Sequence, residues 1–327
     1  MTMPSILLSA PYMLAYVDRF RPVFDHFGLD LIVPEVNERL EEDQILAFAG
    51  SFDGVICGDD RFSERVIRAC LPRLKVISKW GTGVDSIDRD AAARLGVRVG
   101  NTPDAFSQPV ADSVVGYLLA FARRLPWMDS EMKAGRWNKL MGRSLSECVL
   151  GVIGVGNVGK AVIQRAVGFG MTILGNDIVP IDLDFLATHQ VAMTSLRDLL
   201  GRSDFISINC DLNPTSRHLI NPETLAWVKP GAVLINTARG PVVDEAALID
   251  ALQAGRLAGA GLDVFEREPL PADSPLLKMD HVLLAPHNAN SSPAAWERVH
   301  WNTIRNLLEG LGLDGNALEQ FRQEGGS

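Results

Sequence analysis

The chain has 327 residues, is 47% hydrophobic and 22% charged, and carries a formal net charge of −9. A negative chain offers nucleic acid no electrostatic footing, so any anionic ligand must be held by particular arginines or lysines and not by a general field. The length admits two domains, and the composition is that of a globular protein with no nucleic-acid partner.

Other features bound the setting. Cys57, Cys70, Cys148 and Cys210 are scattered without a C-x-x-C pair. They read as buried thiols in a reducing compartment, not as a disulfide or zinc framework, and no metal site is expected. The N-terminus is apolar but has no Lys or Arg before Arg19, which with Asp18 interrupts the run, so a signal peptide is not expected. No apolar run reaches membrane-spanning length. The expected location is cytoplasmic, with no membrane partner.

In chain order, short apolar runs alternate with amphipathic stretches. Strands are predicted at Ser5–Leu8, Leu29–Val33, Gly54–Cys57, Leu74–Ile77 and Val97–Val99. Helices are predicted between them, at Tyr16–Phe27, Glu41–Ala49, Ser63–Ala69 and Asp88–Leu95. This rhythm predicts a parallel sheet covered on both faces. A turn at Gly81-Thr82-Gly83 follows the fourth strand. A longer helix, Asp104–Arg124, is set off by Pro103 and Pro126. A second βα series then begins, with strands at 148–153, 171–176, 204–208, 232–236, 258–263 and 281–284 and helices opening near Asn157, Ser195, Pro222 and Asp244. A final helix over roughly 293–310 is expected to return to the first domain. The glycine-rich tail ending at Ser327 is expected to fray.

The second series opens on the most informative stretch. Cys148-Val149-Leu150-Gly151-Val152-Ile153 runs into Gly154-Val155-Gly156-Asn157-Val158-Gly159. A second apolar run, Met171 to Asn176, ends in Asp177, 18 residues after the last glycine. Strand, glycine turn, helix, strand and acid in that order form a βαβ dinucleotide site. Gly154 allows the tight turn, a Cβ at Gly156 would obstruct a pyrophosphate, and Gly159 lets the helix lie close to the strand. The helix start at Asn157 and Val158 offers backbone N–H groups to phosphate. Asp177 suits the adenine-ribose hydroxyls, and Ile178, Val179 and Pro180 follow it with no arginine for a 2′-phosphate. NAD is therefore expected over NADP.

Three later strands carry polar groups just past their carboxyl ends. They run into Thr237-Ala238-Arg239-Gly240, into Asp263 followed by Glu266-Arg267-Glu268-Pro269, and into Pro286-His287-Asn288. Parallel strands end on one edge, so Arg239, Asp263, Glu268 and His287 can converge. His287 suits a general acid/base near neutral pH, with Glu268 orienting its ring. Arg239 suits a carboxylate and the adjacent carbonyl. Asp263 is expected near the nicotinamide carboxamide. Cys210, Thr215, Thr237, Ala238 and His287 complete the expected cofactor contacts. His26, His189, His218, His281 and His300 are assigned to packing or surface.

With these pieces on the page, the chain resembles the D-isomer-specific 2-hydroxyacid dehydrogenase family. The resemblance rests on Gly81-Thr82-Gly83-Val84-Asp85, Asn101-Thr102-Pro103, Ala111-Asp112, the Gly154–Gly159 motif, Asn236–Gly240, Gly261–Pro269 and Pro286-His287. It implies two doubly wound α/β domains: a Rossmann NAD-binding domain at 103–288, inserted in a flavodoxin-like substrate domain formed by 1–102 and 289–327. It implies a catalytic trio carried by Arg239, Glu268 and His287, a small 2-hydroxy or 2-keto acid as substrate, and a homodimer formed through the NAD-binding domain.

Lys79 and Trp80 depart from the arginine and small residue found before this turn in many relatives. The loop Lys79-Trp80-Gly81-Thr82-Gly83 is expected to touch substrate, with Lys79 pairing an anion as a point charge. Trp80 either shapes the pocket or packs structurally. Asp112 replaces a more frequent Glu, and Asn288-Ala289-Asn290-Ser291 replaces a smaller stretch. Formate oxidation on this fold uses an amide beside the histidine, which Glu268 argues against, while phosphite oxidation with a similar trio stays open. An NAD(H)-sensing corepressor would need flanking interaction tails, of which the chain has almost none.

Overall fold

A computed structural model describes residues 3–324; Gly325, Gly326 and Ser327 of the tail lie outside the described residues. The chain divides into two compact units, one running to Ala105 and resuming at Ser292, the other Phe106–Ser291. The joins expected from sequence were 102/103 and 288/289; the compact units change over at 105/106 and 291/292.

The first unit holds five parallel strands: β1 (Ser5–Leu8), β2 (Asp30–Ile32), β3 (Gly54–Cys57), β4 (Val76–Lys79) and β5 (Arg98–Gly100). Their spatial order is β2-β1-β3-β4-β5. β3 and β4 are buried along their whole length, as strands covered on both faces must be. The helix Pro293–Gly310 starts with Ser292 as cap and proline in the first turn. It buries Val299, His300, Trp301, Ile304, Leu307 and Leu308. Its backbone is tied to β4, because Ser78 Oγ donates to the Thr303 carbonyl at 2.7 Å.

Polar groups at the carboxyl edge of this sheet are paired internally. Asp60 is fully buried and accepts from Ser9 Oγ and from the Leu40 N–H, each at 2.5 Å. The Lys79 ammonium sits 3.2 Å from Asp59 and donates to the Trp80 carbonyl at 3.0 Å, with only 4% of the residue exposed. Trp80 stacks on Tyr12 with ring centres 4.6 Å apart, and Trp296 meets both rings edge-on. Trp80 Nε1 donates to His300 Nδ1 at 3.0 Å. Burial pushes the His300 imidazole down to about 4, so it is the neutral acceptor this bond needs.

The second unit holds seven parallel strands: β6 (Val149–Ile153), β7 (Thr172–Asn176), β8 (Val191–Met193), β9 (Phe205–Ile208), β10 (Ala232–Asn236), β11 (Leu257–Leu262) and β12 (Val282–Leu284). The order β12-β11-β10-β9-β6-β7-β8 reverses direction at the β6/β9 boundary. Ligands settle at such a switch point, beyond the carboxyl ends of the strands. Asp204, at the start of β9, accepts from Arg143 (2.9 Å), Lys229 (2.7 Å) and the Val149 N–H (2.8 Å). One carboxylate thereby ties β9 to β6 at the edge opposite the switch-point loops.

Two sequence readings change. The helix predicted to Arg124 spans Ser107–Arg123, and Pro126 opens a further helix, Leu125–Lys133, in place of a loop. A proline tolerated in a first turn ends one helix and starts the next when the linking residue, here Arg124 at φ 57°, turns left-handed. The edge strand β8 and the helix Leu183–Thr188 were not foreseen. β8 is three residues with one buried, too short to show a period. Among the described residues, no helix is long and apolar enough to cross a membrane.

Burial raises the Asp60 carboxyl to about 6, against the hydrogen bonds from Leu40 and Ser9 that lower it. The folded state therefore binds a proton that the unfolded chain has released, and stability falls as pH rises from about 4 to about 6. Asp60→Asn keeps an acceptor for Leu40 and a donor for Ser9. It is expected to flatten this dependence and to be more stable above pH 6 by roughly 1–3 kcal/mol. Denaturant titrations from pH 4 to pH 7 check this; parallel curves for the two proteins contradict it.

Candidate active site

The glycine motif sits where β6 gives way to the helix Asn157–Gly168. Gly154 has φ 85°, and a Cβ there would stand 2.6 Å from the Cys210 nitrogen at the end of β9. A Cβ at Gly159 would stand 2.0 Å from the Gly154 carbonyl oxygen. These two positions admit glycine alone, since one turn crosses β9 and the other presses helix against strand. At Gly156 a Cβ would meet no protein atom within 4 Å. Gly156 is also the helix N-cap and brings no side-chain cap. The helix start therefore has no side-chain cap, and its first N–H groups are of the kind that bind anions.

Asp177 lies one residue past β7, beside this turn, because β6 and β7 pair Ile153 with Asn176. Its Oδ2 accepts the Val155 N–H at 2.7 Å and its Oδ1 the Val179 N–H at 3.0 Å. Across the switch point, Cys210 is half-buried and its thiol is pushed up to about 11 by burial, so it is a packing group and not a nucleophile. Thr215 is exposed and held by Asn213, which accepts both its N–H (2.8 Å) and its hydroxyl (2.7 Å). Thr237 is buried at the end of β10, and its Oγ1 has no hydrogen-bond partner among the described residues. Cradle, helix start, acid and orphaned hydroxyl fit a dinucleotide: phosphates on 156–159, ribose hydroxyls on Asp177, and a polar ligand atom for Thr237.

The strand ends of β10, β11 and β12 are neighbours on the same edge. β10 ends in Asn236, whose Oδ1 accepts the Ala238 N–H (3.1 Å) and whose amide donates to the Arg239 carbonyl (3.0 Å). That buried asparagine shapes the turn presenting Arg239. β11 leads to Asp263 and the loop reaching Glu268. β12 leads to His287, whose Nδ1 stands 3.0 Å from Glu268 Oε2. The other oxygen of Glu268 accepts the Phe265 N–H at 3.0 Å. With Nδ1–H assigned to the carboxylate, Nε2 is the ring nitrogen that does not face Glu268. The structure thus joins Glu268 to His287 and sets the Arg239 turn on the adjoining strand.

Asp263 is 1% exposed and accepts the N–H groups of Asn288 (2.8 Å) and Ala289 (2.9 Å). Its own carbonyl accepts the His287 N–H at 2.7 Å. Burial raises this carboxyl, and the two N–H groups counter the rise. His287 has φ 50°, a strained value for a histidine, and these three bonds hold it there. Asp263 thus braces the histidine loop, a role the sequence did not announce. Lys79, expected to pair with an anionic substrate, is buried against Asp59, as described for the first unit.

Sequence reasoning passed over four residues. Gly240 was quoted only as part of a motif, yet a Cβ there would come within 1.9 Å of the Phe265 carbonyl group. Asn236 was read as a strand end. Glu245 accepts the Glu266 N–H at 3.1 Å, and His218 Nε2 stands 2.5 Å from Glu266 Oε1. The Asn236 role was signalled by a polar residue ending an apolar strand. The other three act through contacts distant in sequence, for which the chain carries no local signal.

Comparison with known proteins identifies the family. The family model "D-isomer specific 2-hydroxyacid dehydrogenase, NAD binding domain" matches residues 115–289. The chain is 40% identical over 243 residues to a glyoxylate reductase of Korarchaeum cryptofilum, covering 72% of this chain and 73% of that one. It is 36% identical over 282 residues to a hydroxypyruvate reductase of Thermotoga maritima, covering 85% and 90%. Among solved structures, it is similar to a D-lactate dehydrogenase from Aquifex aeolicus complexed with NAD and lactic acid, with a TM-score of 0.83 and 28% identity over 94% of this chain and 97% of that one. The chain therefore belongs to the D-isomer-specific 2-hydroxyacid dehydrogenase family and is an NAD-dependent oxidoreductase acting on CH–OH groups.

Proposed function

We propose that this chain reduces a short 2-keto acid to the D-2-hydroxy acid, and catalyses the reverse, with Arg239, Glu268 and His287 as its catalytic residues. The observation that carries the reading is the 3.0 Å His287–Glu268 contact on the strand edge that also presents Arg239. Relatives that reduce glyoxylate and hydroxypyruvate make these the first substrates to try.

NAD supplies the hydride acceptor, and its reduced form the donor. The protein's part is orientation and a proton. The Arg239 guanidinium binds the substrate carboxylate as a fork and polarises the adjacent carbonyl oxygen. His287, oriented by Glu268, gives the Nε2 proton to that oxygen during reduction and takes it back during oxidation. Glu268 fixes the tautomer and stabilises the imidazolium. The Trp80-Gly81-Thr82-Gly83 turn is proposed to contribute substrate contacts, with Lys79 and Asp59 supporting it from beneath. Cofactor contacts are proposed at Gly154, Gly156, Asn157, Val158, Gly159, Asp177, Cys210, Thr215, Thr237 and Ala238, with Asp263 and His287 at the nicotinamide end.

A homodimer is proposed through the second unit. Trp137 and Met141 are 79% and 94% exposed, and Leu125 and Met132 are also exposed on the adjoining helix. Large apolar side chains left open to water within one stretch of sequence are the basis for proposing that another chain covers it. A reducing cytoplasmic setting fits the four free cysteines.

Three tests follow from this reading. His287→Ala is expected to lower kcat on the best keto acid by roughly 10²–10⁴-fold while NADH still binds by fluorescence titration; unchanged turnover removes histidine from the mechanism. The parent protein is expected to prefer NADH to NADPH in kcat/KM, and Asp177→Ser to narrow that preference; a parent preference for NADPH contradicts the role given to Asp177. Light scattering is expected to give a dimer mass for the parent and a monomer mass for the Trp137→Glu/Met141→Glu double variant. A monomeric parent, or a double variant that stays dimeric, refutes the assigned surface.

A further inference from the structure

The loop that presents Glu268 is gripped from outside the catalytic trio. Two successive N–H groups in it end on carboxylates: Phe265 donates to Glu268 Oε1 (3.0 Å) and Glu266 to Glu245 Oε2 (3.1 Å). Glu245 is the first residue of the helix Glu245–Gln253, capped by Asp244, which accepts the Ala247 N–H at 3.0 Å. A carboxylate there sits at the positive end of the helix and on a rigid element. The segment leading to that helix lies directly on the loop, since no Cβ fits at Gly240 against the backbone of Phe265 and Glu266.

A second grip comes from His218. Its ring meets the Glu266 carboxylate at 2.5 Å. Its backbone is held at φ 50°, its N–H donates to the Pro241 carbonyl at 2.8 Å, and its carbonyl accepts from Asn221 at 2.9 Å. His218 is therefore anchored to the same 239–245 segment that cradles the loop. Both outside contacts fall on Glu266, one on its N–H and one on its carboxylate, and the Phe265 N–H ties Glu268 back to the same loop. An exposed ion pair alone contributes little to stability, so the value of these contacts lies in geometry.

We propose that Glu245 is a positioning residue for Glu268, and that the His218–Glu266 pair completes the clamp that orients the carboxylate facing His287. The proposal rests on the reading of Glu268 and His287 as a catalytic pair. The clamp acts through Glu268 and has no contact of its own with the transferred proton. A displacement on the order of 1 Å at a catalytic group lowers turnover by about 10²-fold, so a loosened clamp reports in kcat before it reports in binding.

The test compares Glu245→Ala with Glu245→Gln in the full chain, with NADH and a panel containing glyoxylate and hydroxypyruvate. Glutamine keeps an acceptor for the Glu266 N–H; alanine does not. Glu245→Ala is expected to lower kcat by roughly 10–100-fold with KM for NADH unchanged, and Glu245→Gln to recover most of the loss. The His287 Nδ1–H signal in the nitrogen–proton NMR spectrum, assigned by its absence in His287→Gln, is expected to persist in Glu245→Gln and to vanish in Glu245→Ala. The clamp is overturned if Glu245→Ala keeps both kcat and the signal. It is also overturned if Glu245→Gln is as impaired as Glu245→Ala, or if Glu245→Ala loses NADH affinity and melting temperature together. A parent that reduces no keto acid in the panel counts against the proposed reaction, and the NMR comparison then judges the clamp by itself.

Discussion

In a parallel sheet every strand ends on the same edge, and the site of this protein rests on that constraint. Rows such as Leu234, Ala260 and Val282 pair across β10, β11 and β12. The register that buries those side chains also decides where each strand stops. Arg239, Asp263 and His287 come from separate parts of the chain, and they share an edge because their strands share a register. The reversal of strand order at β6 and β9 opens the adjacent edge, where the Gly154 turn and Asp177 stand.

Charge within each unit is handled by pairing. Asp204 has two cations and an N–H group at the start of β9. Asp263 has two N–H groups at the end of β11. Lys79 has Asp59, and Asp60 has Ser9 and Leu40. Each arrangement answers the cost of taking a charge out of water, and each fixes a loop in doing so. Positioning of a strand-end residue and satisfaction of a buried charge are here the same set of bonds, most directly at the Asp263 brace beneath His287.

Close approach is the second means of positioning. Gly154, Gly159 and Gly240 stand where backbone meets backbone at distances that leave no room for a Cβ. Two of them shape the nucleotide turn and the third seats the Glu268 loop. His218 and His287 pay the conformational cost of left-handed backbone on either side of that loop, and both are held there by hydrogen bonds to neighbouring turns.

Much of this was legible in the residues. Apolar period and turn chemistry located eleven of the twelve strands among the described residues, because buried parallel strands are continuous apolar runs bounded by glycine, proline and polar residues. The missed strand, β8, is a short edge with one buried residue. The helix after Pro126 was missed because a proline reads as a stop although it also suits a first turn. Gly154, Gly156, Gly159 and Asp177 were readable because the motif they form is written in local spacing. The pairing of His287 with Glu268 was reachable from the strand-edge rule.

The sequence by itself determined the fold class, the nucleotide motif and the residues standing at strand ends, since each of these is written in local pattern and spacing. The tertiary structure decided which charges were already committed. Lys79 was expected to pair an anion and Asp263 to lie near the carboxamide, and folding adds partners that the sequence does not announce, Asp59 beside one and the 288–289 backbone beside the other. Glu245, His218 and Gly240 acquire their places against the Glu268 loop in the same way. Contacts of that kind join residues 19 or more positions apart, and hydrophobic period carries no information about which polar groups meet once the chain has closed.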